Sequence, residues 1–302
     1  MGSKTLGRLV SPTVPFAGIQ EEYGKAKYVI FGFPYDLTST YRLGSRQAPQ
    51  AVREASLNLE TFSPRTGLFL EKLAIRDLGD LDISALENPF DEASKLFRSL
   101  LQEGKTPVVL GGEHTLTFST VRGLPENVAV IIFDAHLDFR DRYEGRSFSH
   151  TTYLRRLVET YSAERFIVVG ARALSLEEVE ASRKAGLQYL STLQILRKGV
   201  SWALKKVEEF FRDFSTIYIS LDLDVFDPAY APAASNPEPE GLTPTMVLDL
   251  LEGLTSRFPR VAGFDVVEFS PAYDNGVTAL LAAKMVFELL CMVEASGGEA
   301  DL

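Results

Sequence analysis

"VAVIIFDAHLD", residues 128 to 138, joins an apolar run to three ionisable side chains. Val128 to Phe133 carry no polar residue. That pattern predicts a strand buried on both faces, as in a parallel sheet covered by helices on either side. Asp134, His136 and Asp138 then occupy every second position. On an extended chain such residues point one way. The spacing predicts a cluster of side chains gathered at the carboxyl end of a strand.

Similar runs recur along the chain. "KYVIFGF" (27–33), "TPVVLGG" (106–112), "RFIVVGA" (165–171), "TIYISLD" (216–222) and "VAGFDVVEF" (261–269) also read as strands. Helical patterns lie between them. Asn88 precedes Pro89, and Ala93, Leu96, Phe97 and Leu100 follow at helical spacing. Ser175 and Glu178 form a capping box, with Gly186 as the stop. Thr243 precedes Pro244, and 201–214 is amphipathic. The alternation predicts a three-layer α/β/α sandwich with a mostly parallel, doubly wound sheet. With no long linker or internal repeat, a single catalytic domain over 1–302 is expected.

The chain has 31 basic and 41 acidic residues, a formal net charge of −10. An acidic surface has no electrostatic drive toward nucleic acid or anionic membranes, and it suits a cationic ligand. The lone Cys291 excludes an intrachain disulfide and reads as core within "MVFELLCMV". The N-terminal "MGSKTLGRLVSP" lacks the apolar segment of a secretory leader, and Leu6 breaks the myristoylation pattern. Lys284 and Glu288 interrupt the most apolar stretch, 276–297, which argues against a membrane span. A cytoplasmic protein is expected.

The chemistry concentrates at strand ends. "VVLGGEH" sets His114 beyond a Gly-Gly turn. "YISLDLDVFDP" repeats the period of two with Asp222 and Asp224, and "FDVVEFSP" adds Glu268. In parallel α/β sheets the carboxyl ends of strands line the ligand crevice. Four aspartates held together cannot all stay ionised unless a cation compensates them. Four carboxylates and two imidazoles, without thiolate, favour Mn²⁺ over a structural zinc. Four negative charges match two divalent ions, so a two-metal site is expected.

"GGEHTLT" (111–117), "DAHLDFR" (134–140) and "SLDLDVFDP" (220–228), in this order, resemble the signature segments of the ureohydrolase family of arginase, agmatinase and relatives. The resemblance extends through "GFPYDLTSTYRLGSRQAPQAVR" (32–53) and "GFDVVEFSP" (263–271), nearly the whole chain. It implies an arginase/deacetylase-like fold and cleavage of the guanidino group of agmatine to putrescine and urea. His114, Asp134, Asp138 and Asp222 would hold one Mn²⁺. His136, Asp134, Asp222 and Asp224 would hold the other, with Asp134 and Asp222 bridging. A hydroxide bridging the ions would attack the guanidinium carbon. Glu268 would pair with the guanidinium, and His150 would carry protons to the leaving amine. The resemblance further implies a homotrimer or homohexamer. Glu113 is expected beside the ligands rather than among them, and Asp227 before Pro228 as a turn former.

Arginases hold the α-amino and α-carboxylate groups of their substrate through an Asn- and Ser-rich loop. The corresponding 139–150 loop here has no Asn and carries Asp141 and Glu144, which suit a distal amine. That favours agmatine over arginine or guanidinobutyrate, with aminopropylagmatine as a longer alternative. Ser235, Asn236, Glu240 and Thr151 depart from the family pattern near the expected substrate. A one-zinc deacetylase-like hydrolase would not need Asp138 with both His114 and His136. A non-catalytic binding module would not need the full ligand set.

Overall fold

The apolar runs of the sequence become the middle of one twisted sheet. The computed structural model describes residues 9–297, so the leader and lipidation expectations for the first eight residues lie outside the described part. In chain order the strands are β1 (Val10–Ser11), β2 (Tyr28–Phe33), β3 (Ile75–Leu81), β4 (Thr106–Gly111), β5 (Val128–Phe133), β6 (Phe166–Ala171), β7 (Gln188–Ser191), β8 (Thr216–Asp222) and β9 (Arg260–Val267). They pair in the order β1-β3-β2-β4-β9-β8-β5-β6-β7. All pairings are parallel except β1 on β3.

The helices are α1 (Ala48–Ser56), α2 (Pro89–Gln102), α3 (Leu116–Gly123), α4 (Tyr153–Thr160), α5 (Leu176–Ala185), α6 (Thr192–Lys198), α7 (Val200–Phe210), α8 (Pro244–Arg257) and α9 (Val277–Gly297). The predicted caps are in place. Asn88 accepts from the Asp91 N–H, Ser175 and Glu178 cap reciprocally, and Thr243 accepts from the Met246 N–H. Gly186 ends α5 with φ +82°, a left-handed turn that glycine adopts without strain.

Strand alternation divides the interior into two cores. Along β5, Ala129, Ile131 and Phe133 pack into one, with residues of α1, α7, α8 and α9. Val128, Val130 and Ile132 pack into the other, with α2, α3 and α4. This is the expected α/β/α layering, and it explains why β5 is apolar at every position. Cys291 is buried in α9. Among the described residues no helix is long and apolar enough to cross a membrane.

The sequence patterns missed β3 because Asp77, Gly79 and Asp80 interrupt its apolar run. Those acids are compensated from α1. Arg53 donates through Nε and Nη2 to the two oxygens of Asp77, at 2.8 and 2.9 Å, and through Nη1 to Asp80 at 2.5 Å. The four-residue edge strand β7 is too short to show a period.

What matters for function is the middle of the strand order. β4, β9, β8 and β5 are consecutive neighbours. His114 follows β4, Glu268 follows β9, Asp222 ends β8 and Asp134 follows β5. Segments far apart in the chain thus end side by side on one edge of the sheet, where strand order reverses and α/β proteins bind ligands.

Candidate metal centre

The period-two spacing works differently from the way an extended strand would use it. β5 stops at Phe133 and β8 at Asp222, so the residues that follow are not strand. Each motif instead makes a side-chain turn. Asp134 Oδ1 accepts the His136 N–H at 2.6 Å, and Asp222 Oδ1 accepts the Asp224 N–H at 2.8 Å. An aspartate that accepts from the backbone two residues on forms an Asx turn. The turn folds each pair into one small volume at the strand tip. Asp138 is brought in by a backbone φ of +49°, which is strained for a residue other than glycine. Asp224 Oδ1 accepts the Ala135 N–H at 2.9 Å and stitches the two motifs together.

Two groups of donor atoms result. His114, Asp134 and Asp222 form one, and Asp134, His136 and Asp224 the other, each with its ligand atoms within 4.8 Å of one another. Asp134 belongs to both. His114 Nδ1 lies 3.0 Å from Asp134 Oδ2, 3.1 Å from Asp222 Oδ2 and 3.4 Å from Asp138 Oδ2. It hydrogen-bonds to none of them, although it is fully buried. A ring nitrogen that faces three carboxylate oxygens without bonding to any could serve as one donor around a shared ion, whose ligands sit about 3 Å apart. His136 Nδ1 lies 2.9 Å from Asp224 Oδ2 and 3.5 Å from Asp134 Oδ1.

The electrostatics fit a cation. Burial, then the charge of Asp134, pushes Asp138 up to about 7. Burial, then Asp224 and Asp134, raises Asp222 well above the carboxylate range. Burial disfavours charge on both histidines, yet Tyr153 followed by Asp134, Asp138 and Asp222 at His114, and Asp224 and Asp134 at His136, outweigh it and raise both. On Asp134 burial is outweighed by the two histidines, and its pKa is lowered. A polypeptide that draws in protons to balance this cluster presents the charge that divalent ions balance instead.

The two remaining predicted residues stand beside the cluster. Glu268, at φ +64°, accepts the His114 N–H through Oε1 at 2.7 Å, while its buried Oε2 has no hydrogen-bond partner. Burial, then the charge of Glu113, raises its pKa to about 8. His150 is buried, and its pKa is pushed down to about 4 by burial and by the charges of His136 and His114. Its Nδ1 lies 3.3 Å from Thr38 Oγ1 and its Nε2 3.4 Å from Thr40 Oγ1. Thr38 is held in turn by Glu113, whose carboxylate accepts both its N–H, at 2.7 Å, and its hydroxyl, at 2.5 Å. Glu113 therefore sits outside both groups of donor atoms and fixes the 38–40 loop. Gly112 permits this approach, because a Cβ there would lie 2.0 Å from the Tyr35 carbonyl oxygen.

A cavity of about 170 Å³ opens over the cluster, lined by His136, Asp138, Asp222, Asp224, His150 and Glu268 together with Thr40, Arg140, Tyr143, Thr151, Glu178 and Asn236. Asp141 and Glu144, expected to meet a substrate amine, do not line it. Asp141 pairs on the surface with Arg156 at 3.1 Å and Arg155 at 3.5 Å, and Glu144 is exposed in a turn closed by Tyr143 and Arg146. The additional acid in the cavity is Glu178, which lies 3.5 Å from Arg140 and accepts the Phe139 N–H at 3.2 Å. The sequence marked Glu178 only as a capping residue. Its place at the cavity depends on α5 packing beside the 139–150 loop.

Of the unusual positions, Thr151 and Asn236 line the cavity, Ser235 is buried behind it with Oγ unpartnered, and Glu240 is exposed at φ +61°. Asp227 does form a turn, accepting from Ala229 N at 3.0 Å and Gly241 N at 3.1 Å. Sequence reasoning missed Arg172. Its guanidinium donates to the carbonyls of Asp224 and Glu238, both at 2.7 Å, and ties the 227–244 loop to the turn that follows β8.

Comparison with known proteins agrees with this geometry. A model of the arginase family matches residues 26–292. An agmatinase of Pyrococcus horikoshii is 33% identical, over 88% of this chain and 92% of its own length. A human mitochondrial guanidino acid hydrolase is 33% identical, over 86% of this chain and 76% of its own. The crystal structure of an agmatine ureohydrolase of Thermoplasma volcanium superposes with a TM-score of 0.86 at 36% identity, covering 97% of this chain and 98% of that one.

Proposed function

Since the chain belongs to the arginase family, hydrolases that act on guanidino compounds, we propose that it is a binuclear manganese hydrolase that cleaves agmatine to putrescine and urea. The observation that carries the metal reading is the buried, unbonded His114 Nδ1 among three carboxylates. His114, Asp134, Asp138 and Asp222 would hold one ion and His136, Asp134, Asp222 and Asp224 the other. Bound together, the ions supply a water acidified enough to act as a nucleophile near neutral pH.

The rest of the chemistry falls to the chain. Glu268 offers its free Oε2 to the guanidinium, a charge-assisted contact that holds the electrophilic carbon beside the metals. His150, neutral at pH 7 with its pKa pushed down, would accept the proton that the attacking water gives up and deliver that same proton to the departing amine. Thr38 and Thr40 keep its ring in place. The charged groups at the cavity are acidic apart from the histidines and Arg140, and Arg140 lies against Glu178. That balance supports a substrate with a cationic tail.

A second reading rests on Arg140 itself. If its guanidinium turns from Glu178 to the substrate, the cavity would accept the carboxylate of a guanidino acid. Urea release with Mn²⁺ separates the readings across agmatine, aminopropylagmatine, arginine and guanidinobutyrate. Agmatine turning over best supports the first, and guanidinobutyrate the second. No urea from any of the four would defeat both. Exposed Leu37, Tyr41 and Leu43, on the loop that carries Thr40, support the expected homo-oligomer.

A further inference from the structure

Behind the cluster lies a buried carboxylate that the proposed chemistry does not use. Asp265, within β9, is fully buried, and three hydroxyls converge on it. Ser220 Oγ donates to its Oδ1 at 2.6 Å. Tyr218 and Thr117 donate to its Oδ2 at 2.5 and 3.0 Å. Ser220 Oγ also lies 2.9 Å from Nε2 of His114, and the Tyr153 hydroxyl lies 3.0 Å from the same nitrogen.

Counting hydrogens gives this chain a direction. A carboxylate only accepts, so the single hydrogen of Ser220 is committed to Asp265. Ser220 can then meet Nε2 only as an acceptor, which puts the ring hydrogen on Nε2. An imidazole that ligates a metal is neutral and carries one ring hydrogen. Nδ1 is therefore the bare nitrogen, and Nδ1 is the atom that faces Asp134, Asp138 and Asp222. Tyr153 does not make this choice, because a phenol can donate or accept.

We propose that Asp265 is a positioning residue that acts through Ser220 to select the Nε2–H tautomer of His114, and so prepares Nδ1 as a metal ligand. The inference rests on the metal reading of the cluster. It adds a residue buried beneath the ligands and assigns it to one of the two ions.

The variants Asp265→Asn and Ser220→Ala test it. The asparagine amide can donate to Ser220, whose hydrogen then turns toward Nε2 and drives the ring hydrogen to Nδ1. Ser220→Ala removes the acceptor. Titration calorimetry with Mn²⁺ on the full chain should show one ion weakened about 10–100-fold in both variants, with the other unchanged. At one equivalent of Mn²⁺ per site, electron paramagnetic resonance should change from the signal of a coupled pair to that of an isolated ion. Tyr153→Phe should keep the coupled pair. A purely structural role would lower thermal stability and weaken both ions alike, or neither, and either result overturns the proposal. If Asp265→Asn does not fold, Ser220→Ala decides alone. A wild-type chain without affinity for Mn²⁺ would overturn the metal reading and this proposal together.

Discussion

Glu268 and His114 hold each other across neighbouring strands, the carboxylate of the first accepting the backbone N–H of the second at 2.7 Å. One acid thus steadies a histidine that faces Asp134, Asp138 and Asp222 with one oxygen and presents the other to the cavity. Glu268→Gln can keep the backbone bond through its carbonyl oxygen but replaces the free oxygen with an amide donor. We expect kcat/KM for the guanidino substrate to fall about 100-fold or more, with Mn²⁺ content unchanged. Urea release and metal analysis on the same preparation check this. Loss of manganese in that variant would assign Glu268 to the metal instead.

Stability in the absence of metal should depend on pH in a defined direction. Asp138 is raised from 3.8 to about 7 and Glu268 from 4.5 to about 8, so both bind protons more tightly folded than unfolded. Their contribution is complete below the unfolded values and is lost as pH rises through about 7 and 8. With EDTA present, the melting temperature should fall between pH 5 and about 9. Added Mn²⁺ should reduce that fall, because the ions replace the protons. A level or rising profile in EDTA would contradict the assignment.

Glu240 sits at φ +61° on the exposed part of the long loop, where a side chain is strained and glycine is not. Glu240→Gly should stabilise the fold by about 1 kcal/mol. A thermal melt should rise by about 2–3 °C with turnover unaltered, since Glu240 does not line the cavity. A lower melting temperature would show that the carboxylate makes a compensating interaction.

Arg53 is buried against Asp77 and Asp80. Arg53→Ala would leave two acids beneath the sheet without a counter-charge, at a cost of about 3–5 kcal/mol. Denaturant unfolding measures it directly. A loss under about 1 kcal/mol would mean that the acids escape to solvent or take up protons.

Much of the frame was readable along the chain because its cause is local. Val128 to Phe133 must be apolar throughout, since both faces of β5 meet a core, and no distant residue changes that requirement. The caps at Asn88, Ser175 and Thr243 likewise act within one helical turn. β3 was hidden for the opposite reason: Asp77 and Asp80 are tolerable only because Arg53 arrives from α1.

The candidate site divides in the same way. Asp134 with His136, and Asp222 with Asp224, were recognisable because each Asx turn is built from residues two apart, whatever the rest of the chain does. Their residue types alone are those that can hold divalent ions. Folding supplied the partners. Thr38 meets His150, Ser220 meets Asp265 and His114, and Glu178 reaches the cavity in place of Asp141 and Glu144. Hydroxyls and acids of this kind are common in any sequence and carry no spacing of their own. Their roles arise from hydrogen bonds a few ångströms long between strands and loops that only the folded sheet brings together.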